Sequence, residues 1–247
     1  MNAAVVIRCA DASARVWTTL RSAERQTVRA DIALVADPST PAPTVAWLRA
    51  VAESRGHRFV QAEGERPAVV KNAGIRATTA DVVACVDAGC ELQPPFLAQT
   101  MSCFEDRATA AAAAWVEWLG PGTRVVVDER APVTLAGCLA NSDAVVDPVV
   151  VRRQDWENAG GFDESLAALE GLDLWLRLLA NGRAIAMVPQ PLASWNTASG
   201  ASVWTCALSR SPVASTTMEP PWARSALRTA AGSGKAPAGE RTISSVQ

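Results

Sequence analysis

The sequence predicts an α/β protein built on a mostly parallel, Rossmann-like sheet that is flanked by helices. Short, continuous apolar runs alternate with segments that have the spacing of amphipathic helices, which is the pattern of β-α-β units. The runs show no polar alternation, as expected for strands that helices cover on both faces. Two of these runs end at an aspartate, and doubly wound sheets bind ligands at the carboxyl ends of their strands.

The first half of the chain supplies the strands and helices in regular alternation. Strands are predicted over residues 3–7, 31–36, 57–61 and 81–86. Helices are predicted between them over residues 13–25, 43–54 and 71–79. The second and fourth strands stop at Asp37 and Asp87. We therefore expect these two carboxylates at adjacent strand ends that face one cleft.

The second half is less regular. A helix and a strand are predicted between residues 94 and 118, and further strands over 125–127 and 149–151. The alanine run 110–114 favours a helix by intrinsic propensity. After about Trp195 small and polar residues dominate and the periodicity vanishes. We therefore predict one domain over residues 1–200 and a disordered tail over residues 201–247.

Composition narrows the possible classes of function. The 247 residues carry a net charge of −2 with a pI near 5.6, which gives no indication of nucleic-acid binding. No apolar run reaches the roughly 18 residues of a membrane span, and the N-terminus lacks a signal-peptide layout, so we expect a cytoplasmic protein. The six cysteines form no CxxC pair and are predicted to be free thiols. The single histidine, His57, excludes multi-histidine metal sites, and its polar segment SRGHR favours a solvated loop residue over a member of a His-based triad.

The segment NAGGFDESLAALEGLDLWLR, residues 158–177, joins a Gly-Gly turn and several acidic residues to an amphipathic helix. Its leucines recur near helical spacing and predict one buried face. The segment resembles the "GGFDE…ED.DLWLR" signature of family 2 glycosyltransferases, in which the acidic pair opens a helix at the floor of the sugar-transfer site. Gly171 stands where that family carries the aspartate that acts as base.

Other segments resemble the same family, in the same order along the chain. VVIRCAD is similar to its opening strand, IALVADPST to "iivVDDGST", KNAGIRATTADVVACVDAG to "RN.Gi..A.Gdyi.flDaD", and VVVRRQDWENAGGFDE to "vi+r..fe.vGGFDE". The resemblance implies a glycosyltransferase A-type fold. It also implies inverting transfer of a sugar from a nucleotide-sugar donor to an unknown acceptor, and it places a strand at the alanine run.

Four residues are candidates for binding the nucleotide of the donor by this resemblance: Asp11, Asp37, Lys71 and Asp87. Asp37 matches the aspartate that hydrogen-bonds the base, although an aspartate before Pro38 also suits a turn or a helix cap. Asp11 stands where many members have asparagine. Lys71 opens the segment that matches "RN.G".

Asp87 matches the first aspartate of the family's DxD element, which implies a divalent metal, manganese or magnesium, at the donor diphosphate. Gly89 replaces the second aspartate and supplies no side-chain ligand, whereas these metals prefer carboxylate oxygens. Glu91 lies two positions further and is the nearest substitute. The sequence therefore predicts a weakened metal site with Asp87 as its remaining ligand.

Because Gly171 cannot accept a proton, the catalytic candidates are its neighbours Glu170 and Asp173, which lie on one helical face. Asp173 also precedes Arg177 by four residues, so an ordinary helical ion pair is the alternative for it.

Two functions from different classes fit these observations. One is an active nucleotide-sugar glycosyltransferase with a weakened metal site. The other is a catalytically inactive relative that keeps the fold as a binding or scaffold protein, since the metal and base positions have both changed. A Rossmann dehydrogenase is excluded because no GxGxxG follows the first strand.

Overall fold

Strands and helices alternate along most of the chain. The computed structural model describes residues 1–9, 13–120, 123–128, 133–140, 147–196 and 241–244. In chain order the strands are β1 Ala3–Cys9, β2 Ala30–Ala36, β3 Arg58–Gln61, β4 Val82–Asp87, β5 Cys90–Leu92, β6 Thr109–Gly120, β7 Thr123–Asp128, β8 Val149–Arg152, β9 Ala184–Asn196 and β10 Arg241–Ser244. The helices are α1 Ser13–Glu24, α2 Ala42–Arg55, α3 Pro67–Arg76, α4 Phe96–Ser102, α5 Leu135–Ala140, α6 Arg153–Asn158 and α7 Glu170–Ala180, with a short 3-10 helix Cys103–Glu105 after α4.

The described strands form one sheet with the order β10-β7-β6-β8-β4-β1-β2-β3, and β9 pairs with both β5 and β6. The half that contains β4, β1, β2 and β3 is parallel, as predicted. The other half is mixed, because β8 runs antiparallel to both β4 and β6. This antiparallel strand brings the start of β8 to the edge where β4 ends.

Each face of the sheet has its own hydrophobic core. Along β1, Val5 and Ile7 pack with α1, α2 and α4, whereas Ala4 and Val6 pack with α3, α6 and α7. Every residue of β1 is buried, so the strand has no polar face to show in its sequence. This is the physical reason for the continuous apolar runs.

The predicted elements of the first half are confirmed in order, with shifted ends. Helix α3 begins at Pro67, several residues before the predicted start, since proline suits the first turn of a helix. Gly56 ends α2 with a φ of 69°. The alanine run lies in β6, and its members are at most 1% exposed. Enclosure of this strand by both cores outweighs the helical propensity of alanine.

Two predictions from composition concern the cysteines and membrane-spanning segments. The cysteines at positions 9, 85, 90, 103 and 138 are thiols and not disulfides, as predicted. Among the helices of the described ranges, none has both the length and the apolar character needed to cross a bilayer.

The predicted tail contains one described segment. Residues 241–244 form β10, which pairs in parallel with β7, so this part is an edge strand and not the disordered chain that composition favours. The remainder of the predicted tail lies outside the described residues.

Candidate active site

The carboxyl ends of β2, β1 and β4 form the edge of the sheet on which the predicted residues meet. Arg8 is in register with Val35 of β2 and with Asp87 of β4, and Asp37 directly follows β2. The strands that carry the two aspartates are therefore separated by β1, and the expectation of adjacent strand ends was wrong. At ~4.8 Å per strand, the two strand ends lie about 10 Å apart on one edge.

A buried ion pair joins the ends of β1 and β4. Arg8 donates from Nε to Asp87 Oδ1 at 2.7 Å and from Nη2 to Oδ2 at 2.9 Å, and each side chain is 6% exposed. Burial alone would lower the pKa of Arg8. The charge and hydrogen bonds of Asp87, with Glu170 and Asp147 nearby, outweigh it and hold that pKa above its ordinary value. Both oxygens of Asp87 are thus engaged by one guanidinium.

A second buried cation lies next to this pair. Lys71 of α3 donates from Nζ to Glu170 Oε1 at 2.8 Å and to Asp147 Oδ2 at 3.3 Å. Its burial opposes the charge, but the surrounding carboxylates raise the pKa of Lys71 above its ordinary value. Burial raises the pKa of the nearby Cys85 thiol to about 12, so this group stays neutral. We call Arg8, Lys71, Asp87, Asp147 and Glu170 the strand-edge cluster.

Asp147 is a site residue that sequence reasoning missed. The β4–β8 register pairs Cys85 with Val149, two residues after Asp147, and Asp147 Oδ2 accepts from Lys71 Nζ at 3.3 Å. The side chain is 36% exposed. Burial, together with Asp87 and Glu170, raises its pKa against the opposing effect of Lys71. The signal was present as an aspartate directly before a predicted strand, but only an antiparallel direction for that strand places it here.

Glu170 opens α7, as the resemblance implied. Its carboxylate is 10% exposed, and the negative charge suits the positive end of the helix dipole. Burial opposes the charge, yet attraction to Lys71 and the hydrogen bond from it lower the pKa of Glu170. The preceding residue, Leu169, has a φ of 65° and is 62% exposed. Gly171 follows Glu170 in the first turn and offers no proton acceptor.

Asp37 holds the turn after β2. Its Oδ1 accepts from the backbone N–H of Ser39 at 2.9 Å, from the Ser39 hydroxyl at 2.6 Å and from the Thr40 hydroxyl at 3.3 Å. Oδ2 has no hydrogen-bond partner among the described residues. The turn function and an open acceptor thus coexist in one side chain. Asp11, the other candidate near the base, lies outside the described residues.

The GGFDE segment is held by the residue next to Lys71. Asn72 donates from Nδ2 to the Phe162 carbonyl at 2.9 Å and to Glu164 Oε1 at 2.8 Å. Its Oδ1 accepts from the Phe162 N–H at 3.0 Å and from Trp156 Nε1 at 3.2 Å. Asn72 is 1% exposed, so these bonds replace all contact with water. The two sequence motifs KNAG and GGFDE are therefore one structural unit.

Arg177 ties helix α7 to the same turn. It donates to the Gly161 carbonyl at 2.9 Å and to the Ala159 carbonyl at 2.5 Å, and it forms a paired contact with Asp173 Oδ2 at 2.6 and 2.9 Å. The structure thus places Asp173 in the helical ion pair that was the alternative for it. A catalytic role for Asp173 stays a prediction. We call Asn72, Trp156, Gly161, Phe162 and Arg177 the glycine-turn network.

The described residues do not fit a divalent metal at Asp87. Gly89 has a φ of 108°, a backbone conformation that residues with a side chain rarely adopt, so a ligand residue is disfavoured at this position. Glu91 does not reach back to Asp87, because it lies in β5 and bonds Arg25 at 3.1 Å on an exposed surface. Among the ranges that the structure describes, no group of three His, Cys, Asp or Glu side chains is arranged to hold a metal ion.

Comparison with known proteins assigns the fold and the family. A crystal structure of S. aureus TarS 1–349 matches with a TM-score of 0.64 at 15% identity, over 79% of this chain and 60% of that one. The same fragment in complex with UDP-GlcNAc matches with 0.64 at 13% identity, over 81% and 60%. This chain thus spans about 60% of the length of those structures. No curated protein matches the sequence.

The fold is that of the A-type glycosyltransferases, as the sequence predicts. The profile of "Glycosyltransferase like family 2" matches residues 2–230, and the chain belongs to this family.

Proposed function

We propose that this domain transfers a sugar from a nucleotide-sugar donor to an acceptor, with inversion at the anomeric carbon. One observation carries the proposal. The strand edge gathers an open carboxylate oxygen at Asp37, buried cations at Arg8 and Lys71, and two further carboxylates beside them. Such a set can hold a base, a diphosphate and a nucleophile along one edge. Because the TarS neighbour was solved with UDP-GlcNAc, a uridine diphosphate sugar is the first donor to test.

Asp37 receives the nucleoside in this proposal. Its open Oδ2 accepts a hydrogen bond from a base N–H or a ribose hydroxyl, while Oδ1 stays with Ser39 and Thr40. Asp11 is proposed to line the same part of the site, in keeping with the family resemblance. Lys71 contributes positive charge from the side of α3.

Inverting transfer requires a base for the proton of the acceptor hydroxyl, which attacks as the nucleotide diphosphate leaves. Glu170 and Asp147 are the candidates, since both bond Lys71 in the cluster. Asp147 is the better acceptor, because 36% of its side chain is exposed to an incoming acceptor and the neighbouring carboxylates Asp87 and Glu170 act to raise its pKa. The lowered pKa of Glu170 makes it a weaker base. We therefore propose that Asp147 accepts the proton of the acceptor hydroxyl and that Glu170 positions Lys71.

A second function, a catalytically inactive binding protein, is favoured by one specific observation. The position of the family's base is Gly171, and the hydrogen bond from Lys71 helps to lower the pKa of the adjacent Glu170, which makes it a poor replacement. A chain of this kind would bind nucleotide sugars without consuming them. Both functions therefore predict binding of nucleotide sugars, but only the transferase predicts their turnover.

We also propose a cytoplasmic location, which the described cysteines support because they are reduced thiols, the form that reducing compartments maintain. The acceptor is left open, and nothing in the charge of the chain favours nucleic acid.

Binding and turnover of nucleotide sugars test the proposal separately. Calorimetry with UDP-GlcNAc and a panel of other nucleotide sugars measures binding, and release of free nucleotide measures turnover. Asp37→Ala should weaken binding by about 1–3 kcal/mol, as for a buried partner left unpaired. Asp31→Ala is the matched control, since Asp31 lies exposed near the start of the same strand.

The results separate the candidates as follows. Asp147→Asn should slow turnover by ~10²–10⁴-fold without loss of donor affinity, as expected for a general base. Binding without turnover in the parent would favour the inactive binding protein. No binding by any nucleotide sugar would reject both functions.

A further inference from the structure

We propose that Arg8 takes the place of the divalent cation in this donor site. In this view the guanidinium, held by Asp87, binds the diphosphate of the donor directly, and no metal bridges them. The nature of the ligand rests on the proposed function. The metal-excluding role of Arg8 follows from the contacts of the buried pair itself.

The first step concerns Asp87, the residue that a metal would need. Both of its carboxylate oxygens accept from Arg8, at 2.7 and 2.9 Å. A metal ion could bind Asp87 only by displacing a guanidinium that is itself 6% exposed. The displaced arginine would then be a buried cation without its partner, which is strongly unfavourable. Gly89 and Glu91 offer no compensating ligands, as described above.

The second step concerns the hydrogen-bond donors that Arg8 has left. The guanidinium has five N–H groups, and the pair with Asp87 uses those on Nε and one on Nη2. Nη1 has no partner among the described residues. Arginine binds phosphate through such planar, paired donors. Lys71 is less suited to this role, since Glu170 and Asp147 already share its ammonium group.

The third step is the position of Arg8 in the sheet. β1 lies between β2, which leads to Asp37, and β4, which ends at Asp87. A nucleotide sugar laid along this edge with its nucleoside at Asp37 has its diphosphate over the end of β1. Arg8 occupies this central point, and a metal at Asp87 would lie further along the edge.

Three binding measurements test the inference with the whole chain. Calorimetry measures the binding of inorganic pyrophosphate in the presence of EDTA, and the binding measurements with the nucleotide-sugar panel are repeated with EDTA and with Mn²⁺. Electron paramagnetic resonance measures the binding of Mn²⁺ in the absence of other ligands. The variants are Arg8→Met and, in case the single change unfolds the protein, Arg8→Met with Asp87→Leu. Arg25→Met is the control, because its pair with Glu91 is also an arginine–carboxylate pair but is exposed.

The parent should bind pyrophosphate in EDTA, and loss of Arg8 in either variant should weaken this binding at least about tenfold, as for a charge-assisted contact. The parent should bind no Mn²⁺ at Asp87, and Arg25→Met should match the parent. Pyrophosphate binding that requires Mn²⁺, or that survives loss of Arg8, would overturn the inference. Mn²⁺ binding that Asp87→Asn abolishes would overturn it as well.

These outcomes are distinct from the test of the proposed function. Nucleotide sugars that bind only with Mn²⁺ would support the function and reject the role of Arg8. Pyrophosphate bound through Arg8, with no nucleotide sugar bound, would support Arg8 and reject the function.

Discussion

Two neighbouring residues of α3 belong to regions of opposite character. Lys71 lies in the strand-edge cluster, where buried charges neutralise one another across strands. Asn72 lies in the glycine-turn network, where an uncharged amide fixes backbone groups. Asn72, Gly161, Phe162 and Arg177 of the network match motif residues of the family, as do Asp87 and Glu170 of the cluster. The departures, Gly89 and Gly171, lie beside the cluster. The turn thus matches the family's sequence pattern, while the sequence beside the charged cluster departs from it.

The largest expected effect is in the cluster. Arg8→Met leaves Asp87 as an unpaired buried charge, so the free energy of unfolding should fall by about 3–5 kcal/mol. Adding Asp87→Leu removes the stranded charge and should restore most of that loss. Urea denaturation of both variants and the parent measures the difference. Equal losses in the single and double variants would show that the pair does not act as a unit.

The network should respond almost as strongly, without involving a buried ion pair. Asn72→Ala removes the partners of the Phe162 N–H and carbonyl and of Trp156 Nε1. The expected loss is about 2–4 kcal/mol, since each buried polar group left unpaired carries a penalty. Asn158→Ala is the control on an exposed helix end, and a surface change of this kind should cost less than about 0.5 kcal/mol. Similar losses in both variants would contradict the central role of Asn72.

The pH dependence of stability separates the two regions further. The folded pKa of Glu170 is lowered, so its contribution is present above the ordinary glutamate pKa and is lost as pH falls through the folded value. Glu170→Gln should therefore cost about 2 kcal/mol at pH 7, with Asp147 still present to hold Lys71. The difference from the parent should shrink below about pH 4.3.

Denaturation curves between pH 7 and pH 3.5 measure this difference. Glu91→Gln, which breaks an exposed pair, should change stability by less than about 0.5 kcal/mol at pH 7. A Glu170→Gln difference that stayed constant with pH would show that Glu170 is uncharged in the folded protein.

The smallest expected effect compares two glycines of the same turn. Gly160 and Gly161 have φ values of 80° and 82°, so alanine is strained at either position. A methyl group at Gly161 would lie 3.1 Å from Asn72 Oδ1 and 3.3 Å from Trp156, whereas nothing lies within 4 Å at Gly160. Gly161→Ala should therefore lower the free energy of unfolding by about 1 kcal/mol more than Gly160→Ala does, because the added methyl group is overpacked only at Gly161. Equal thermal denaturation midpoints would contradict this.

Most of the parallel half of the fold could be predicted from the sequence. Strands enclosed on both faces appear as unbroken apolar runs, which is why β1, β2 and β4 were found with nearly correct ends. The mixed half could not be ordered this way. An apolar run such as β8 carries no mark of its direction, and pairing with β4 and β6 decides it.

The need for long-range pairing also explains which residues of the site could be predicted from the sequence. Asp37 and Asp87 could be placed on one edge, because each ends a parallel strand. The partners of Asp87 and Glu170 could not, since Arg8 and Lys71 are 79 and 99 residues away in the chain. Local sequence shows which residue is charged. Only the register and the packing of α3 show which charges meet.

The buried pair of Arg8 and Asp87 also has a consequence for descent. If either residue is lost alone, the other is left as an isolated buried charge, so single changes at these positions pass through a poorly folded intermediate. The two positions are 79 residues apart in the chain but should be substituted together during evolution. If Arg8 replaces the divalent cation as proposed, a basic residue at position 8 should accompany the absence of a carboxylate at position 89 among relatives of this chain, because no second metal ligand is then needed.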